Sequence, residues 1–328
     1  MQPSFTQGLK AFAKAATAFT TALVVGLSSA HAFPDKPIRL VVPFAPAGGT
    51  DLIARTLAVE MAKELGQPVV VDNKPGASTV IGTDLVAKSA PDGYTLVVSS
   101  IAHAVNPSLM TKMPYSTEKD FAPVSMIVRS PNVLVVRADS PFKSLKDIIA
   151  AAKADPDKLT YASPGNGTSS HLAGALFADM AKVQIKHVAY KGSGPALTDL
   201  LGGQTDMIFA TSGSVGGFID SGKLRALAIT SAERSSAYPG VPTVSEAGVP
   251  GYATEGWYGF YAPAGTPAAV IDKLNAAMRK AASSEIFRSK VVSEGMVVQT
   301  GTPAEFDAFV RAEILRWSRI VKADVLAK

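Results

Sequence analysis

The sequence predicts an α/β protein of two lobes, and three observations carry that prediction. Short β-branched runs such as Ile38–Val42 are followed by segments of helical period, of which Ile53, Leu57, Met61 and Leu65 are the clearest. This strand-loop-helix order occurs once through residues 38–65 and again through residues 158–180, each time with glycines between strand and helix. Two further extended stretches, residues 121–137 and 257–263, read as crossings of the chain between the lobes. The boundaries that follow are 33–131 plus 254–328 for the first lobe and 132–253 for the second.

In the first unit, Gly48 and Gly49 let the backbone approach a ligand, Thr50 or Asp51 can cap, and the free N–H groups of a helix start attract an anion. Ala47, Gly48, Gly49, Thr50 and Asp51 are therefore candidate binding residues. A strand-to-helix turn that binds nothing is the competing reading, and the turn alone does not decide between them. Residues 67–72 then read as a strand, 73–77 as a turn, 80–90 as a helix stopped by Pro91-Asp92-Gly93, and 94–98 as a strand. Residues 99–106 are expected to form a loop beyond that strand. Ligands of open α/β sheets bind past the carboxyl ends of strands, which nominates Ser99, Ser100 and His103, with a surface histidine as the alternative for His103.

Residues 121–137 read as two extended runs flanking Ser130-Pro131-Asn132, and residues 140–147 read as the start of a new helix. Beyond the strand at 158–162, the loop Ser163-Pro164-Gly165-Asn166-Gly167-Thr168 feeds a helix that buries Leu172, Leu176 and Met180. Asn166, Gly167, Thr168, Ser169 and Ser170 thus become the opposing wall of a cleft, and two such loops carry an argument that neither carries alone. A strand at 185–190, a short helix through Leu201 and a strand at 207–210 follow. Asp206 either braces neighbouring amides or meets a ligand donor. Ala210, Thr211 and Trp257 are set among the residues that fix the pocket's width, and Trp257 is left open between core and ligand contact. After a strand at 224–229, residues 235–254 read as surface loop. The last helix carries a capping box, Thr302-Pro303-Ala304-Glu305, and an apolar face that places Trp317 in the core.

The chain of 328 residues is long enough for two cores. Lys10 and Lys14, an uncharged run and Ala30-His31-Ala32 read as a signal peptide over residues 1–32, cleaved after Ala32, which makes the mature protein periplasmic. Its loss removes two lysines and no acid, so the formal charge falls from +5 to +3. The basic residues are scattered, which argues against nucleic acid as a partner. There is no cysteine, so disulfides, thiol catalysis and thiolate metal sites are excluded. His103, His171 and His187 lack zinc spacing, and no serine sits in G-x-S-x-G. Gly165 to Ser170 approaches a dinucleotide fingerprint but lacks its third glycine and the acidic residue that should follow. No cofactor, metal or catalytic set is expected.

The chain resembles the Bug/TctC family, the extracytoplasmic solute receptors of tripartite tricarboxylate transporters. The likeness rests on Pro43-Phe44-Ala45-Pro46-Ala47-Gly48-Gly49-Thr50-Asp51, Asp72-Asn73-Lys74-Pro75-Gly76-Ala77, Pro91-Asp92-Gly93-Tyr94-Thr95-Leu96, His187-Val188-Ala189-Tyr190-Lys191-Gly192 and Leu200-Leu201-Gly202-Gly203-Gln204-Thr205-Asp206. It implies a type II periplasmic-binding-protein fold that closes like a flytrap on a small carboxylate. It also implies a monomer that delivers its ligand to membrane permease subunits, with the carboxylate held by backbone amides and hydroxyls at residues 47–51 and 166–170. A ligand sensor for a membrane kinase and, more remotely, an exported enzyme on the same scaffold are the alternatives. Ala47, Asp72 and Ser78-Thr79-Val80 depart from the family pattern, the last replacing a glycine-rich stretch.

Overall fold

The computed structural model describes residues 33–44, 46, 49–293 and 295–322. The expected signal peptide over 1–32 and the candidate residues Ala47 and Gly48 lie outside the described residues. The fold belongs to the unit that begins at Lys36. Its strands are β1 (Ile38–Val42), β2 (Val69–Asn73), β3 (Thr95–Ser100), β4 (Phe121–Arg137), β5 (Thr160–Ser163), β6 (Lys186–Ala189), β7 (Met207–Thr211), β8 (Leu224–Ile229), β9 (Glu255–Pro263) and β10 (Val297–Val298). The helices are α1 (Gly49–Leu65), α2 (Val80–Ala87), α3 (Ile101–Leu109), α4 (Leu145–Ala154), α5 (Ser169–Ala181), α6 (Ser193–Leu201), α7 (Ser212–Asp220), α8 (Ala268–Ala282), α9 (Glu285–Ser293) and α10 (Pro303–Lys322).

The strand order is β2-β1-β3-β9-β4-β7-β5-β6, with β8 and β10 also on β4. β1 pairs in parallel with β2 and β3, and β5 pairs in parallel with β6 and β7. β4 is the element both groups share: residues 121–131 pair with β9 and residues 132–137 with β7 and β8. The expected break at Ser130-Pro131-Asn132 is absent, and a single 17-residue strand runs through it. Pro131 is tolerated where it pairs with Glu255 at the end of the β9 ladder, while Pro123 sits at a register shift.

Parallel strands covered on both faces read as continuous apolar runs, and β1 is buried at four of its five positions. The apolar stripe of α1 is buried at Ile53, Leu57, Met61 and Leu65, and Gly66 at φ +67° ends the helix. One core gathers Val97, Ile101, Phe121, Tyr261, Phe306 and Trp317. Two more flank the second strand group, around Tyr161, Phe177, Phe209 and Tyr252 and around Leu197, Ile208 and Val215. Ile320 of α10 packs against the first two of these cores. The capping box of α10 forms: Thr302 N–H donates to Glu305 Oε2 at 2.8 Å and Glu305 N–H to Thr302 Oγ1 at 3.2 Å. Trp317 is fully buried, its indole N–H donating to Glu313 at 3.0 Å.

Residues 99–106, expected to be loop, instead finish β3 and open α3, where the Ser100 hydroxyl accepts the Ala102 N–H. Three elements carried no expectation. α7 is rich in glycine and serine, poor helix formers, and is held by burial of Val215. α9 is anchored by Phe287 and Val291, four residues apart. β10 is only two residues long.

Candidate functional site

A cavity of about 780 Å³ lies past the carboxyl ends of β1, β3, β5 and β7. Six helix starts converge on it: Gly49 and Thr50 of α1, Ser78 and Thr79 before α2, Ser100 to Ala102 at α3, Thr168 and Ser169 at α5, Gly192 and Ser193 at α6, and Thr211, Gly213 and Ser214 at α7. None of the described residues lining it is charged. Each helix start carries the positive end of a dipole and those first-turn N–H groups that no side chain caps, and six together suit negative charge without a cationic side chain among the described lining. Phe44, Pro46, Ile101, Trp257 and Met296 add apolar surface. Burial holds the Tyr258 phenol above its ordinary pKa, against a lowering contact with Thr50, so it stays a neutral O–H. The chemistry available is donation of hydrogen bonds to an anion.

The near wall is held from behind. Asn73 uses both amide protons, donating to Phe44 O at 3.1 Å and to Asp51 Oδ1 at 2.8 Å. Arg55 bridges the same pair, donating to Asp51 Oδ2 at 3.0 Å and to Asn73 Oδ1 at 2.8 Å. Asp51 is 4% exposed and does not line the cavity, so its carboxylate braces the wall. That orientation suits an anion site, since a carboxylate facing the cavity would repel the ligand. Along the rim, Ala77, Ser78 and Thr79 hold φ of 45°, 52° and 79°, a left-handed run of non-glycine residues pinned by Asn106 Nδ2 donating to Ser78 O at 2.7 Å.

On the far wall the Thr168 hydroxyl accepts the His171 N–H and donates to Gly165 O at 2.7 Å. Gly165 and Gly167 take φ of +142° and +75°, which side chains rarely adopt. Asn166, Gly167, Thr168 and Ser169 line the cavity.

Gly49, Thr50, Ser100 and Trp257 also reach the cavity, while His103, Ser170, Asp206 and Ala210 do not line it. His103 is 2% exposed among Tyr115, Phe121 and Tyr261, and burial presses its pKa down to about 3. The surface alternative for it is thus overturned, because β3 turns straight into a packed helix. Ser170 is buried under the wall, and Ala210 sits in the core beside Ile208. Asp206 is a brace, its Oδ2 accepting from Thr160 N–H at 2.8 Å and from the Thr160 hydroxyl at 2.9 Å. Trp257 is both core and wall: it is 1% exposed, packs edge-on to Phe306 and Phe309, and still borders the cavity. Ser130, Ser193, Ser214, Tyr258 and Met296 were not anticipated as lining. Thr211 followed by Ser212-Gly213-Ser214 is a helix-start signal that would have found one of the six.

Ser163 Oγ lies 2.7 Å from His187 Nε2, the distance of a nucleophile and its base. The hydroxyl is fully buried, however, and engaged with the backbone of Gly165.

The family model for the tripartite tricarboxylate transporter family receptor, TctC, matches residues 53–326. Protein BugT of Bordetella pertussis is 41% identical over 304 residues, 92% of this chain and 93% of that protein. Among solved structures, an R. palustris protein with adipate superposes with a TM-score of 0.81 at 36% identity, covering 88% of this chain and 97% of that one. MatC from Rhodopseudomonas palustris with bound malate gives 0.78 at 35%, covering 88% and 100%. The fold is thus the periplasmic-binding-protein fold of the TctC/Bug type, and the chain belongs to the TctC family of solute-binding receptors.

Proposed function

We propose that this receptor captures a small organic dicarboxylate in the cavity and hands it to the membrane subunits of a tripartite tricarboxylate-type transporter. The observation that carries this is the convergence of six helix starts on a cavity whose described lining is uncharged. Three of the starts follow strands of the β1 group and three follow strands of the β5 group, which offers donors to both ends of a ligand with two carboxylates. The relatives with adipate and with malate support the same ligand class. The two-lobe division at 33–131 plus 254–328 and 132–253 is supported by the separate cores on either part of β4. Export by cleavage after Ala32 and action as a monomer complete the proposal.

A thermal-shift screen with adipate, malate, other dicarboxylates and neutral sugars tests it. A carboxylate present at about 100 times its Kd should add about 2.7 kcal/mol of stability. Stabilisation by sugars and by no carboxylate would overturn the reading.

A further inference from the structure

We infer that the stacked imidazoles of His171 and His187 position the loop 163–168, forming a hydrogen-bonded brace that holds only while His171 is uncharged. The inference rests on the reading of this loop as one wall of the carboxylate cleft.

Gly167 N–H donates to His171 Nδ1 at 3.1 Å. That nitrogen must therefore be without a proton, and the neutral ring carries its proton on Nε2. His187 Nε2 meets Ser163 Oγ at 2.7 Å, and the same hydroxyl accepts Gly165 N–H at 3.1 Å. Each of the two positive-φ glycines of the wall is thus tied to a histidine, Gly167 directly and Gly165 through Ser163. These glycines have the backbone freedom that a preformed anion cradle must lose, and the ties remove it before ligand arrives.

The rings lie 4.0 Å apart at 17°, and Tyr161 stacks on His187 at 4.8 Å and 28°. A proton added to His171 Nδ1 would set a donor against the Gly167 donor, and two imidazolium rings at this spacing would repel. The titratable groups that bear on the pair are the two rings themselves and Tyr161 of β5, whose phenol burial keeps neutral. Burial lowers His171 to about 3, with His187 adding to the shift, and lowers His187 to about 4. The sign follows. Both folded values lie below the unfolded value of about 6.5, so the stabilisation is complete above that pH and is lost as pH falls through the folded values. Imidazole is suited to this position because it accepts an N–H without charge. A carboxylate there would also accept it, but would set a negative charge behind an anion site.

The experiment uses the ligand-free full chain. Nitrogen NMR near neutral pH should show His171 neutral with Nδ1 unprotonated and the Gly167 amide protected from exchange. His171→Leu should speed exchange at Gly167 by about tenfold and weaken binding of adipate or malate by a similar factor. His171→Asn, which returns an acceptor oxygen, should restore both to within about threefold of the parent. A protonated Nδ1, a freely exchanging Gly167 amide, or a leucine variant with unchanged exchange would overturn the inference. Should the leucine variant fail to fold, the tautomer and the Gly167 exchange of the parent still decide. If those signatures hold while neither dicarboxylate binds the parent, the brace stands and the carboxylate reading fails.

Discussion

The two walls of the cavity present the same kind of surface and are supported by different chemistry. Behind the near wall stands a charge-assisted triangle of Asp51, Arg55 and Asn73, and behind the far wall a pair of uncharged imidazoles. Arg55 is half-exposed and can balance Asp51 from the solvent side, which lets a carboxylate sit under one wall of the cavity. The far loop lies over a more enclosed layer of Tyr161, His171 and His187, where an acceptor without charge does the equivalent task. Two walls that present the same uncharged helix starts to one cavity can therefore stand on quite different scaffolding.

Substitutions can break this comparison at either wall. The largest effect is expected from Gly174→Ala, because a Cβ there would lie 2.2 Å from the Tyr161 ring that stacks on His187. A loss of about 3 kcal/mol is expected in urea denaturation, with binding lost as well. At the near wall Asn73→Ala leaves Asp51 Oδ1 and Phe44 O short of a donor and should cost about 2 kcal/mol. Its readout is the same denaturation midpoint, with the far-loop amides still protected. The loop glycines sharpen the contrast. Gly167→Ala, at φ +75° and 3.3 Å from Leu109, should lose about 1 kcal/mol and weaken ligand binding by calorimetry. Gly49→Ala meets only Met296 at 3.5 Å without a positive φ, so its stability should stay within about 0.5 kcal/mol of the parent. Equal losses at both glycines would erase the distinction. The smallest change is Ser78→Gly, which relieves a left-handed φ of 52° and should stabilise by roughly 0.5 kcal/mol, after the glycine's own entropic cost.

Much of the frame was legible in the sequence, because it rests on local signals. β1 and the buried stripe of α1 followed from apolar periodicity, and the α10 capping box followed from Thr302 and Glu305. The loops at 163–168 and before Thr50 were visible as glycines between a strand and a helix. What stayed hidden depends on tertiary partners. α7 has almost no intrinsic helix preference, and its start at the cavity exists because Val215 is buried. Asp51 was marked as a possible cap and Asp206 as either a brace or a ligand contact, yet the sequence does not say which way a carboxylate turns, and both turn toward backbone and side-chain donors. The left-handed run at 77–79 falls where the family pattern is rich in glycine, so the departure could be read from the sequence but its backbone strain could not.

The uncharged lining of the cavity also bears on how fast a ligand is captured. Cationic clefts draw anions in through long-range fields that salt screens. In the proposed carboxylate site the attraction would come from helix ends, whose influence fades within about a turn. A ligand is then found by unassisted diffusion, and the rate of capture should change little with ionic strength.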